Sequence, residues 1–181
     1  MNLSPLAAAV EPASRFANPF ATCWTRPGAM PWIGEGGASS DALTTRLVTL
    51  GGGQIIGPHG VGKSTLLAAL AERMADRAED WLVLDGAEQL SWFERRRLTR
   101  RFRRGEVRPI VTTHRRLGLP VLVELRPSRQ LFERLFESLI AHHATPVTLA
   151  DAAACYDRYG PNLREVWFAL YDRHHRLTAA S

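Results

Sequence analysis

The sequence predicts an α/β fold, a short parallel sheet of about four strands flanked by helices and followed by a C-terminal helical lid-like subdomain. Three observations predict it. Short apolar runs (GQIIG, WLVLD, RPIVTT, PVLVEL) alternate with helical patterns up to residue 127. The first of these runs leads into a glycine-rich loop and then an amphipathic helix. From residue 128 onward the pattern is helical only.

Taken in order, residues 1–39 are rich in Pro, Gly, Ala and Ser and carry Trp24 and Trp32. They read as an irregular lead-in, ordered in part by packing of those two rings. Asp41–Leu50 reads as a short helix, with Ser39 or Ser40 as N-cap and Leu43 and Leu47 on one face. A strand follows over Gly53–Gly57. Ser64–Ala78 is helical by pattern, because Leu66, Leu67, Leu70 and Met74 fall at i, i+1, i+4 and i+8. Trp81–Asp85 is a continuous apolar run ending in an acid, the profile of a buried parallel strand. Gln89–Arg104 reads as a strongly basic helix, and Arg108–Thr113 and Pro120–Leu125 as two more strands. Helices are expected over 128–143, 148–159 and 162–176, with Thr148 and Asn162 as caps. The organisation that results is a lead-in (1–39), a core (40–127) and a helical subdomain (128–181).

The chain has 181 residues, enough for one compact domain and a small appendage. Its 45% hydrophobic and 23% charged content is that of a globular protein, and no apolar run reaches the length needed to span a bilayer. The N-terminus lacks a basic n-region and has only a short apolar stretch, Leu6–Val10, so it is not expected to be a signal peptide. Cys23 and Cys155 match no metal or redox spacing and read as reduced thiols, which fits a cytoplasmic location. The net charge is +5 and the isoelectric point about 10.0. The basic side consists of 22 arginines and a single lysine, Lys63.

That lysine stands in Gly57-Pro58-His59-Gly60-Val61-Gly62-Lys63-Ser64, which satisfies G-x-x-x-x-G-K-[ST], the Walker A pattern, between an apolar strand and an amphipathic helix. The chemistry requires these residue types. Glycines let backbone N–H groups curl around phosphate oxygens, and the helix N-terminus adds positive potential. Lys63 would neutralise the β- and γ-phosphates and the Ser64 hydroxyl would ligate Mg²⁺, so residues Gly57 to Thr65 form the expected ATP site. A compact ammonium suits that position where a planar guanidinium does not. Asp85, at the end of WLVLD, is the expected second Mg²⁺ ligand, acting through water. Gly86 follows it, so Glu88 is the candidate to polarise a water. A solvated acid in the first turn of the next helix is the plainer reading of Glu88.

The order of glycine loop, apolar strand with acid, then apolar strand ending in polar residues (IVTTH) resembles the AAA+ and STAND branch of P-loop ATPases. The resemblance implies that Thr112 or Thr113, with Thr113 taken here, corresponds to the sensor-1 residue that contacts the γ-phosphate or attacking water. Tyr159-Gly160-Pro161-Asn162-Leu163-Arg164-Glu165 resembles the sensor-2 segment of the AAA+ lid, with Pro161 as an insertion, and implies that Arg164 reaches the phosphates. PWIGEGG resembles the STAND segment beside adenine. Only 22 positions separate Lys63 from Asp85, so the further strand and helix usual in that family are missing. The remaining strands would then run in the order 120–125, 53–57, 108–113, 81–85.

Eight arginines between Arg95 and Arg108 wrap round their helix rather than forming one stripe. A nucleic-acid surface there is not favoured over a solvated face. Arg115 or Arg116 could serve a neighbouring subunit. His142-His143 and His174-His175 read as surface pairs, because adjacent helical residues point about 100° apart. The function expected is ATP·Mg²⁺ binding with slow hydrolysis, acting as a nucleotide-dependent switch on an unidentified protein partner, with no membrane association. A nucleotide-binding module without useful turnover and a small P-loop kinase are the alternatives.

Overall fold

The computed structural model describes residues 18–35, 38–75 and 81–180. Leu6–Val10 and the last residues of the helix expected to run to Ala78 lie outside them. The chain passes through α1 (Thr22–Thr25), α2 (Ser40–Leu50), β1 (Gly53–Ile56), α3 (Lys63–Met74) and β2 (Trp81–Leu84). A 3-10 turn (Ala87–Gln89) precedes α4 (Trp92–Arg103), β3 (Arg108–Thr113) and β4 (Val121–Glu124). Three helices close the chain: α5 (Arg129–Ile140), α6 (Leu149–Tyr159) and α7 (Leu163–Ala179).

Side-chain caps set most of the helix starts. The Ser39 hydroxyl accepts from the Ala42 N–H at 3.1 Å, and Thr148 forms a capping box with Asp151. The basic helix starts later than Gln89, because Ser91 and Glu94 cap each other reciprocally; the residues before Ser91 form the 3-10 turn instead. Asn162 stands at the N-cap of α7 but makes no side-chain capping bond.

The four strands are all parallel and run in the order β2-β3-β1-β4, the order implied by the sequence. Leu43 and Leu47 of α2 and Leu66, Leu67, Leu70 and Met74 of α3 cover one face of the sheet, against Ile55, Ile110 and Leu122. Leu98 of α4, with Ala87 and Leu119, covers the other face against Val111. Ile110 and Val111 thus serve opposite cores, as alternation along a strand requires. Gln54, buried in β1, is satisfied by the loop before β4: its amide donates to the Leu119 carbonyl and accepts from the Leu117 N–H at 2.9 Å.

The run WLVLD does not form a strand buried on both faces. β2 is the edge strand, and Leu82 and Val83 remain 41% and 43% exposed. Among the described residues, no strand pairs with its outer side.

A separate apolar core joins α5, α6 and α7 through Phe132, Phe136, Leu139, Val166, Trp167 and Leu170. Phe20 from the lead-in is buried in it, stacked on Phe136 and Trp167 with ring centres 5.9 and 6.3 Å apart. The tryptophans of the lead-in order it at two points, Trp24 against this helical core and Trp32 against the sheet core. His174 is buried here too, contrary to the expected surface pair, and its Nδ1 lies 3.0 Å from the Thr145 hydroxyl. No described helix is long and apolar enough to cross a membrane.

Candidate functional site

The loop between β1 and α3 turns tightly because its glycines have no side chains. A Cβ on Gly57 would lie 2.8 Å from Val61 Cγ2 and 3.0 Å from the Leu125 carbonyl oxygen. Gly60 and Gly62 both take left-handed backbone, with φ of 72° and 90°. The turn delivers Lys63 as the first residue of α3, with its side chain folded back into the loop. There the buried ammonium donates to the carbonyls of Gly57 and Pro58 at 2.8 and 2.6 Å. Burial lowers the Lys63 pKa, with Arg164 adding to the effect and the carboxylates Glu88 and Asp85 opposing it.

A cavity of about 460 Å³ opens beside this loop. Its polar lining comes from residues 59–65, Asp85, Glu88, Thr112, His114 and Arg164. Apolar side chains also line it, Met30, Trp32 and Ile33 from the lead-in and Leu135, Trp167 and Phe168 from the helical part. Three stretches distant in sequence therefore build a single site.

Asp85 reaches the cavity because it follows β2 directly. The β2–β3 register pairs Leu84 with Val111, which brings Asp85 beside Thr112. The Thr112 hydroxyl donates to the Asp85 carboxylate and accepts from the Gly86 N–H at 2.7 Å. Thr113 does not line the cavity: its hydroxyl donates to the Arg115 carbonyl at 2.8 Å and accepts from the Arg115 N–H. Of the two threonines, Thr112 is the one brought to the site.

His114 had no role in the sequence reading, yet it stands among the polar groups of the cavity. Its Nε2 lies 3.0 Å from Glu88 Oε1 and 3.4 Å from Lys63 Nζ, and its ring packs edge-on against His59 at 3.9 Å. Burial lowers the His114 pKa, Lys63 and His59 add to this, and Glu88 works against it. The balance of these effects favours the neutral imidazole. The signal available in the sequence was the polar residue closing IVTTH, one place beyond the threonines.

The tail closes over the loop. An added Cβ on Gly60 would lie 1.7 Å from Asn162 Oδ1 and 3.2 Å from Arg164 Cβ. Asn162 Oδ1 is buried there without a hydrogen-bond partner.

The donor set suits a hard cation and a phosphate chain. Mg²⁺ is commonly held by one or two protein oxygens, several waters and substrate phosphates. Ser64 and Asp85 line the same cavity as Lys63 and would supply those oxygens. Among the described residues, no group of three His, Cys, Asp or Glu side chains is placed to hold a metal alone.

No protein-family model matches the chain, and no curated protein matches it. The fold and cavity define an α/β protein with a parallel four-stranded sheet and a cavity of mixed polar and apolar lining at the loop after β1.

Proposed function

We propose that the chain binds a nucleoside triphosphate, ATP with Mg²⁺, at residues 57–65 and hydrolyses it slowly as a switch on a protein partner. The observation that carries this reading is the buried Lys63 ammonium. The chain's sole lysine is held at a glycine-loop and helix N-terminus, in a cavity lined by both charged and apolar side chains. A triphosphate suits the charged groups and a nucleobase the apolar ones.

In this reading Lys63 and the loop N–H groups hold the phosphates. Ser64 and Asp85 hold the metal, which when bound would neutralise charge developing between the β- and γ-phosphates. Glu88 orients a water, Arg164 approaches from the helical part, and Thr112 fixes Asp85. Residues 128–180 then act as a lid that reports the nucleotide state to the partner.

A second reading, nucleotide binding without useful turnover, is favoured by the Glu88–His114 pair. An acid already bonded to a neighbouring imidazole is less free to orient water. Titration of ATP and Mg²⁺ against wild type and Lys63→Ala tests the proposal. The variant should lose most of its affinity while its circular dichroism stays native. Unchanged affinity in a folded Lys63→Ala protein would refute it, and measured turnover in wild type separates the two readings.

A further inference from the structure

The arginines of α4 do not all point apart. Trp92, Arg95, Arg96, Thr99, Arg100 and Arg103 recur at spacings of three and four and share one helix face, while Arg97 and Arg101 fall outside it. The loop after β3 faces this stripe and is tied to it by the Thr99 hydroxyl, which lies 3.0 Å from the Leu117 carbonyl. Between helix and loop runs a groove of about 670 Å³ lined by Arg95, Arg96, Arg100, Arg103, Arg104 and Arg116, with Trp92 at its head.

Among the described residues, no carboxylate lines this groove. Of its six arginines only Arg104 has an acidic partner among the described residues, Glu106 at 3.6 Å. Arg95 Nε is buried without a hydrogen-bond partner. Arginines near a helix C-terminus complement its dipole, which accounts for Arg100 and Arg103 but not for Arg95, Arg96 or Arg116. Guanidinium groups lining one groove repel each other wherever they approach within the screening length of about 8 Å at physiological salt. They are relieved by an anion with several charges in a row. From Trp92 to Arg103 the stripe extends for about 17 Å at 1.5 Å per residue, too long for one phosphate to fill.

The head of the groove narrows the class of anion. Trp92 and Phe93 are 57% and 77% exposed and meet edge to face at 4.9 Å, and the Arg96 guanidinium lies over the Trp92 ring at 5.3 Å. Planar aromatic and guanidinium surfaces beside a basic track stack the bases of a single strand while the track follows its phosphates. An acidic peptide would use the charges and leave the rings idle.

We propose that the groove between α4 and residues 116–118 binds single-stranded nucleic acid. Fluorescence anisotropy with labelled oligo-dT and oligo-U, over a salt series, tests this on the full chain. Wild type should bind, and the Arg96→Gln/Arg100→Gln/Arg103→Gln variant should lose at least about tenfold in affinity. Its logarithmic salt slope should flatten by about 2, at roughly 0.7 per phosphate contact for single strands. Trp92→Ala should lose about fivefold or more with its salt slope unchanged, because stacking is not an ion-exchange process. Lys63→Ala should bind the oligonucleotides like wild type, which keeps this result separate from the nucleotide site. Absence of oligonucleotide binding at low salt would overturn the proposal, as would tighter binding of duplex. Equal binding of poly-glutamate with no effect of Trp92→Ala would also overturn it, and would assign the groove to an acidic protein.

Discussion

His114 Nε2 lies 3.0 Å from Glu88 Oε1, so the acid expected to polarise water already has a protein partner. The same nitrogen is 3.4 Å from Lys63 Nζ. A neutral imidazole can donate from Nε2 to Glu88 or accept there from Lys63, but not both. This one ring therefore stands between Lys63 and Glu88 and can bond to only one of them at a time.

Glu88→Gln should leave ATP affinity near wild type and lower turnover, because it removes a base and no phosphate contact. Wild-type turnover in Glu88→Gln would return Glu88 to the role of a solvated acid paired with His114.

The pH dependence follows from two histidines. His114 and His174 are both held below the usual imidazole pKa of about 6.5, chiefly by burial. His114 faces Lys63, Glu88 and His59, while His174 faces His175 and bonds to Thr145. With folded pKa values depressed, the unfolded chain takes up protons first as pH falls. Their contribution to stability is thus complete above about pH 6.5 and is lost below it, as pH falls through the folded values. Urea midpoints measured from pH 8 to pH 5 should decline on the acid side, less steeply in His114→Asn and in His174→Asn. A slope unchanged by either substitution would count against this account.

A pair of substitutions separates Thr112 from Thr113. Thr112→Val removes the donor to Asp85 and the acceptor of the Gly86 N–H, two part-buried hydrogen bonds worth about 1 kcal/mol each. It should also weaken Mg²⁺-dependent nucleotide binding, since Asp85 loses its orientation. Thr113→Val breaks only bonds to Arg115, so nucleotide affinity should hold. Equal losses of affinity in the two variants would mean that Thr112 does not act through Asp85.

How far the sequence made the site legible follows from the same residues. The glycine loop, its lysine and the helices of the tail were readable because each rests on local pattern, and the strand order followed from the family resemblance and right-handed crossovers. Which of two adjacent threonines faces Asp85 depends on the β2–β3 register, and a shift of one residue turns a side chain to the other face. His114 was missed because a single polar residue after a strand has no periodicity. Its role arises only when β3 settles beside β1, pairing Thr113 with Ile56 just ahead of the loop. Phe20 lay in a stretch without pattern, yet its ring completes the core of the C-terminal helices. The exposure of Leu82 and Val83 was hidden because an apolar run looks alike at the centre and at the edge of a sheet.

Contact between tail and loop can be measured through two glycines. Gly60 and Gly105 have nearly the same positive φ, 72° and 71°, where alanine costs about 1–2 kcal/mol. Nothing lies within 4 Å of a Cβ on Gly105, whereas one on Gly60 would meet Asn162 Oδ1. Gly60→Ala should therefore destabilise more than Gly105→Ala in urea unfolding. Adding Asn162→Ala should recover part of the difference, as a double-mutant cycle detects for residues in contact. Equal effects of the two glycine substitutions would place the tail farther from the loop than the structure does.

Arg164 gives the most exacting test of the proposed lid. It lines the cavity and adds positive charge around Lys63, while Leu163 and Trp167 of the same helix hold its first turns in the apolar core. If α7 presents it to the γ-phosphate, Arg164 should discriminate ATP from ADP, because ADP lacks the group it meets. A charge-assisted contact of this kind is worth about 1.5–3 kcal/mol, roughly a 10- to 150-fold difference in affinity. Arg164→Ala should weaken ATP binding by that order and ADP binding far less. The urea midpoint should stay close to wild type, since the side chain makes no ion pair among the described residues. Arg164→Lys keeps the charge but loses the planar fork, and should recover only part of the discrimination. An unchanged ATP-to-ADP ratio in a folded Arg164→Ala protein would mean that α5 to α7 form one wall of the cavity and do not read the γ-phosphate.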